Sequence, residues 1–481
     1  METSYSFISL IYSGLGNLAA YLAAHVLLCL LPAFFIAGAM AALIPKESIT
    51  RFLGRNSPKY ISYPAAAASG SLLAVCSCTI VPLFAGIYKK GAGIGPAITF
   101  LFFAPAANIL ALIYTGGLIG VDLAFARLIL SLVFGIGIGM MMAIIFRKED
   151  IAHDEASDAM FAGKGAMNRS AFVLIATLVA LLLAGTLKVG LFTNTYATIT
   201  LPIAGMDGFQ ETLYRLVPFD AAKGEEGVSA QGAILIVLLT FIGLTAWKGL
   251  ENIFDGFNHW TILSLTLVAV TFLVAALGMI PHARGLDILI TGKFIGVAIA
   301  MAGVWWLLKT RFAEDELCSF LWESWRFVKQ IFPLLIVGVF AVGVIRQIIR
   351  PEWIEAIAGE NTLTGNLAGV FFGVFMYFPT LVEVPIAKMF LELGMHKGPL
   401  LAYLMADPEL SLQSMLITAA IIGRLRTFTY VIGVAIFSMI SGLLYGMWID
   451  GISLAVITVY LAAFLLLLFT ALWQVNKRRV N

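Results

Sequence analysis

Charge is missing from this chain in long blocks. No Asp, Glu, Lys or Arg occurs in 3–45, 60–88, 91–121, 227–247, 427–449 or 451–476. A helix needs about 20 predominantly apolar residues to cross the hydrocarbon layer of a bilayer, and most of these blocks exceed that. Runs bounded by charge or turn residues predict full spans near 19–44, 94–118, 123–146, 171–193, 230–248, 261–280, 286–308, 329–349, 397–422, 428–447 and 453–475. Two further segments, 61–88 and 364–388, are different. The first carries Cys76-Ser77-Cys78 followed by Pro82, and the second carries Pro379, Glu383 and Pro385. Proline inside a helix removes a backbone hydrogen bond and clashes one turn back, so neither segment reads as one straight helix. Each either dips in and returns or crosses fully.

The predicted fold class is therefore all-α and polytopic: about eleven spans plus two Pro-broken segments. Composition agrees. Hydrophobic residues make up 60% of the 481 and charged residues 12%, against a soluble norm of about 45–50% and about 25%. A net charge of +2 leaves no basic footprint for nucleic acid. A transmembrane β-barrel would alternate apolar and polar residues in segments of about ten, which these runs do not. The opening Met1-Glu2-Thr3 lacks a basic n-region, so the first apolar block is read as a retained span rather than a signal peptide. The polar stretches 147–170 and 194–229 are too small for a separate folded domain. One transmembrane domain over 1–481 is expected: a first repeat at about 20–147, central helices at about 171–308, a second repeat at about 327–447 and a last span at 453–475.

The repeat is visible in the residues. A gapless shift of 303 lays Val81-Pro82 on Val384-Pro385, Gly91 on Gly394, Gly95-Pro96 on Gly398-Pro399, Leu101 on Leu404 and Pro105 on Pro408. That is 7 identities in 25 positions, where average residue usage gives about two. Five of the seven are prolines or glycines, so what repeats is a pattern of backbone interruptions. Charge suggests the relative direction of the halves. Lys46, Arg51, Arg55 and Lys59 precede the first motif against Glu47, Arg147-Lys148 ends the first half and Lys477-Arg478-Arg479 ends the chain, whereas the stretch before the second motif carries Arg346 and Arg350 against Glu352, Glu355 and Glu360. Short cytoplasmic loops favour Lys and Arg. If both Pro-broken segments re-enter, 45–60, 147–170 and the C-terminus fall in the cytoplasm and the halves are inverted, as in many secondary transporters.

Irregular backbone at membrane depth survives only where it is buried in protein or lines a wet cavity, so the paired motifs nominate a central site. Pro82, Pro105, Pro385 and Pro408 are expected to hold the helix breaks. The first half offers Cys76, Cys78, Thr79 and Asn108 without charge, and the second offers Thr380, Glu383, Asp407, Glu409 and Ser411. Cys76 and Cys78 are either small apolar fillers or ligands for a soft metal or metalloid, because thiolates prefer soft ions. Cys29 and Cys318 are remote in sequence. Glu383 follows 22 charge-free residues; an intramembrane carboxylate is a functional candidate by default, and the bland reading is a salt bridge to Lys388 or Arg424. Asp407 and Glu409 either bind cations or cap the helix that follows. Arg424 and Arg426 mark the end of a span. No histidine pair has metal-ligand spacing.

Absences narrow the function. There is no Gly-x-x-x-x-Gly-Lys-Ser/Thr loop for ATP and no His-Glu-x-x-His, Gly-x-Ser-x-Gly or Cys-x-x-Cys. The expectation is a permease, not an enzyme, with no cofactor. Its partners are the lipid bilayer and a small solute or metal(loid) ion, and it is driven by an ion gradient or by a separate subunit. The alternatives are a non-transporting membrane subunit or anchor of a larger complex, and an intramembrane redox enzyme using the two cysteines.

At these residues the sequence resembles a known family. Cys76-Ser77-Cys78-Thr79-Ile80-Val81-Pro82-Leu83-Phe84-Ala85-Gly86, Gly95-Pro96 and Ala104-Pro105-Ala106-Ala107-Asn108 look like the first signature of the predicted permeases that include ArsP-type organoarsenical exporters. Pro379-Thr380-Leu381-Val382-Glu383-Val384-Pro385, Ala406-Asp407-Pro408 and Gly423-Arg424 are similar to the second. The likeness covers roughly 20–147 and 327–447. It implies a multi-spanning permease of the cell membrane, an exporter, with some members handling trivalent organoarsenicals or soft metal ions through cysteine thiols. Here only Cys76 and Cys78 fall on the motif, so a three-thiolate site lacks its third thiol.

Overall fold

The structure is a computed structural model. It describes every residue except 1–6, 25–27, 29, 45, 73–76, 161–168, 187–189, 204, 218, 220–226, 283–284, 347–351, 376–379 and 481. The protein is all-α and polytopic, with nine helices among the described residues long and apolar enough to cross a membrane. The chain divides into two compact units, one built from Met1–Pro45 and Lys164–Gly343 and the other from Lys46–Gly163 and Val344–Asn481.

The first unit contains α1 (Phe7–Ala24), α2 (Leu31–Leu43), α10 (Arg169–Thr186), α11 (Gly190–Thr193), α12 (Met206–Leu216), α13 (Ala230–Gly249), α14 (His259–Ala276), α15 (Gly292–Arg311) and most of α16 (Glu314–Arg346). The segment 19–44, expected as one span, is thus two helices. Ser229 and Asn258 cap α13 and α14 by accepting from Gly232 N and Thr261 N, satisfying backbone donors that a helix start leaves orphaned. Lys248 lies over Trp260 and Lys329 over Trp322, each at 4.7 Å. Such amphipathic Trp and Lys side chains favour the membrane–water interface.

This unit also holds a three-stranded antiparallel sheet, β1 (Thr195–Leu201), β2 (Gly278–His282) and β3 (Gly285–Thr291), in the order β1-β3-β2. Ile199 pairs with Ile288 in one ladder and Met279 with Ile288 in the other. The expected spans 261–280 and 286–308 are corrected accordingly: their helices are Ala276-ended α14 and Gly292-started α15. A short apolar run such as Leu286–Ile290 has no periodicity that separates strand from helix. An apolar cavity of about 390 Å³ lies in this unit against Leu178, Val268, Phe272 and Trp305, with Lys309 at its edge.

The second unit carries the repeat. Its first half is α3 (Lys46–Leu53), α4 (Lys59–Leu72), α5 (Ser77–Lys89), α6 (Ile94–Ala106), α7 (Ile109–Leu118) and α8 (Val121–Ile145), followed by α9 (Arg147–Met160). Its second is α17 (Glu352–Ala358), α18 (Leu363–Phe375), α19 (Thr380–Glu392), α20 (Lys397–Ala406), α21 (Leu412–Ile422) and α22 (Arg424–Ile449), followed by α23 (Leu454–Val480). The starts of α5, α6, α7 and α8 each lie 303 residues before those of α19, α20, α21 and α22, the same shift that aligns the sequence motifs. Gly91 and Gly394 are also equivalent and adopt φ 86° and 91°, the left-handed turn that glycine tolerates.

Both Pro-broken segments fold back on themselves. The end of α5 returns beside the start of α4: Gly54 and Ala92 form an antiparallel bridge, and Gly93 N donates to Leu53 O at 2.8 Å. In the second half His396 N donates to Ala358 O at 2.9 Å, bringing the end of α19 to the start of α18. With 14, 13, 13 and 13 residues, these four helices are each about 20 Å long, short of the about 30 Å hydrocarbon thickness. They form two helical hairpins of re-entrant length.

Close glycine contacts then set helix directions. Gly70 near the end of α4 meets Ala104 and Phe100 near the end of α6, so these helices run parallel. Gly139 in α8 meets the carbonyl of Gly95 in α6, and its counterpart Gly442 in α22 meets that of Gly398 in α20; both pairs are antiparallel. Gly137 touches Phe437, Gly433 touches Met141, and Tyr445 OH donates to Asp122 Oδ2 at 2.9 Å. The helices α8 and α22 therefore run in opposite directions, and the two halves are inverted relative to each other.

Candidate functional site

Each half contains one helix interrupted near its middle. In the first half α6 ends at Ala106, and Asn108 starts α7 by accepting from Ala111 N at 2.8 Å. In the second half α20 ends at Ala406, the turn Asp407-Pro408-Glu409-Leu410 follows, and Ser411 caps α21 by accepting from Ser414 N at 3.3 Å. Breaking a helix leaves carbonyls at one end and amides at the other without intrahelical partners. The caps answer the amides; what answers the carbonyls differs between the halves, and there the charge gathers.

Arg127, in α8, is fully buried. Its Nε donates to Ala106 O at 2.7 Å, an orphan carbonyl of the first break, its Nη1 to Thr115 Oγ1 at 3.3 Å, and its Nη2 to Glu383 Oε1 at 2.6 Å. The guanidinium thus ties α6, α7 and α8 of one half to α19 of the other. Both side chains of the Arg127–Glu383 pair are 0% exposed. Asp407 is a side-chain hydrogen-bonding neighbour of Glu383. Glu409 receives a hydrogen bond from Tyr430 OH to Oε2 at 2.5 Å, and its Oε1 is buried with no hydrogen-bond partner among the described residues. Asp407 and Glu409 are themselves 0% and 4% exposed.

The inverted repeat explains this placement. Position 127 in α8 corresponds to 430 in α22, 106 corresponds to 409, and 115 corresponds to 418, which is also threonine. In both halves the same helix position reaches the same point of the break. In one half an arginine reaches a backbone carbonyl, and in the other a tyrosine reaches a glutamate side chain.

Several sequence expectations change here. Glu383 pairs with Arg127, not with Lys388 or Arg424; Arg424 is exposed at the first position of α22. Asp407 and Glu409 do not cap α21, because Ser411 does. Asn108 is engaged at both ends of its amide, with Nδ2 donating to Pro105 O at 3.4 Å, so it holds the break. Pro82 and Pro385 sit inside α5 and α19 and do not hold helix breaks, Pro105 is inside the last turn of α6, and only Pro408 lies in a break. Thr79 is buried in α5. Cys76 and the side chains of Cys78 and Thr380 lie outside the described residues. Among those described, no three His, Cys, Asp or Glu side chains converge on a metal position.

Arg127, Tyr430 and Thr115 were not singled out by sequence. The signal for Arg127 was present: it is the one basic residue of the apolar stretch 123–146, and an ionisable residue within a span is functional by default.

Inverted repeats with paired broken helices and buried charge between them are the architecture of a membrane permease. The comparisons agree: the chain belongs to the predicted permease family ArsP_1, whose model matches residues 12–447. The match includes the helices at 171–308, which lay outside the resemblance seen in the motifs. A UPF0718 protein of Methanocaldococcus jannaschii is 34% identical over 432 residues, covering 90% of this chain and 94% of that protein. No solved structure matches.

Proposed function

We propose that this permease is a secondary-type transporter of the cell membrane, exporting a soft metal(loid) or organoarsenical species. The observation that carries the transport reading is the Arg127–Glu383 pair, which joins the break of the first half to α19 of the inverted second half. Solute passes along the breaks, alternating access arises from one half rocking against the other, and Glu383, Asp407 and Glu409 couple movement to an ion gradient. Cys76 and Cys78 supply thiolate ligands for the soft solute, with Thr79 next to them in sequence and Thr380 a neutral ligand from the second motif. The stretches 45–60 and 147–170 and the C-terminus lie in the cytoplasm, and the protein performs transport rather than catalysis.

The test is a tolerance assay in cells lacking their own arsenic and metal exporters. Wild type and Cys76→Ser/Cys78→Ser are compared on trivalent organoarsenicals, arsenite, copper and zinc at equal membrane abundance. Protection by the wild type, lost in the double variant, is expected. Protection that survives the double variant removes the thiols from the site, and absence of protection by either removes the soft-solute reading.

A further inference from the structure

The three acidic residues at the second break are not equivalent, and their partners separate them. Glu383 is held by a guanidinium. Glu409 is held only by a neutral phenol: Tyr430 faces it from α22, and the acidic Glu383 faces it from α19. Asp407 lies two residues away on its own turn. The helices α6 and α18 contain no charged residue, and α5 contains only Lys89 at its far end. Glu409 makes no ion pair among the described residues. A carboxylate buried without a cation costs several kcal/mol, and in practice such a group takes up a proton instead.

We propose that Glu409 is the proton-carrying group of this permease, that Tyr430 positions it, and that Glu383 is a fixed charge locked by Arg127. This rests on the transport reading above and sharpens it: the coupling ion is a proton, bound at Glu409 Oε1, the oxygen left free by the tyrosine. A metal cation fits poorly there. The Arg127 charge, which neighbouring Glu383 holds in the cluster, repels one, and the acidic groups do not converge to coordinate one.

The chemistry is a simple transfer. Protonated Glu409 releases H⁺ from Oε1 to water entering the break, becoming a carboxylate that still accepts from Tyr430 at Oε2. The cluster gains one negative charge while Arg127 remains its cation, which draws the guanidinium toward the acidic side. Because Arg127 Nε also holds Ala106 O at 2.7 Å, the protonation state of the second break is felt at the first.

Infrared spectroscopy of the full chain in lipid nanodiscs tests this without knowing the solute. At pH 7 the wild type is expected to show a protonated-carboxyl C=O band that Glu409→Gln removes and Glu383→Gln leaves. Tyr430→Phe should keep the band but move it to the frequency of a less hydrogen-bonded acid, which preserves the test if Glu409→Gln fails to fold. Addition of sodium or potassium chloride should leave the band unchanged. No such band in the wild type, a band that survives Glu409→Gln, or one that sodium removes would each overturn the inference. A Glu409 band in a protein that moves no solute would instead count against the transport reading alone.

Discussion

The Arg127–Glu383 pair makes a demanding prediction because both side chains are fully buried and Arg127 has three partners. Removing one member of a buried pair typically costs about 3–5 kcal/mol, whereas exchanging both for apolar residues of similar volume is often near neutral. Glu383→Met should therefore cost about 3–5 kcal/mol by leaving a guanidinium unpaired. Arg127→Met should cost somewhat more, since Ala106 O also loses its donor, worth about 1–3 kcal/mol for a buried acceptor. The double variant retains only that second penalty. Protonation of the stranded carboxyl softens the Arg127→Met loss, so the coupling energy of the cycle is expected at about 3 kcal/mol rather than the full sum. The assay is reversible unfolding in mixed micelles titrated with SDS, followed by tryptophan fluorescence. Additivity within about 0.5 kcal/mol would refute the pairing as an energetic link between the halves.

Two further predictions concern packing and pH. A Cβ at Gly139 would lie 2.6 Å from Gly95 O, and one at the equivalent Gly442 would lie 2.5 Å from Gly398 O; alanine at either should cost about 1–3 kcal/mol by overpacking, while Gly117→Ala, with nothing within 4 Å, should gain about 0.5–1 kcal/mol of helix propensity, all read in the same micelle titration. Glu251, just beyond α13, accepts from Lys329 Nζ at 2.6 Å and from Trp325 Nε1 at 3.0 Å. These contacts hold its carboxyl below the usual glutamate range, the lysine first. The folded state then binds this proton less readily than the unfolded chain, so the pair stabilises above the unfolded value and loses its effect as pH falls through the folded one. With Glu251 39% exposed, Glu251→Gln should cost about 0.2–1 kcal/mol at neutral pH and nothing once the wild-type carboxyl is protonated, checked by stability measured against pH.

The long charge-free blocks determined by themselves that this is a polytopic helical protein, because only a helix satisfies its own backbone where no water can. Backbone-determining residues also revealed the repeat: Pro82 and Pro385 fix φ and Gly91 and Gly394 permit a left-handed turn, so their spacing carries over to helix boundaries 303 residues apart. The charge pattern pointed to inversion, and the opposed directions of α8 and α22 agree with it.

Tertiary structure decided the rest. Thr195–Leu201 and Leu286–Ile290 become strands because they pair with each other, and pairing between distant segments leaves no local signature in an apolar run. The roles of the acidic residues were equally undetermined. Glu383, Asp407 and Glu409 look alike in sequence, and they differ only because α8 brings Arg127 to one and α22 brings Tyr430 to another. Local constraint is written in the chain; which charge meets which partner, 256 residues away for Arg127 and Glu383, is fixed only when the halves fold against each other.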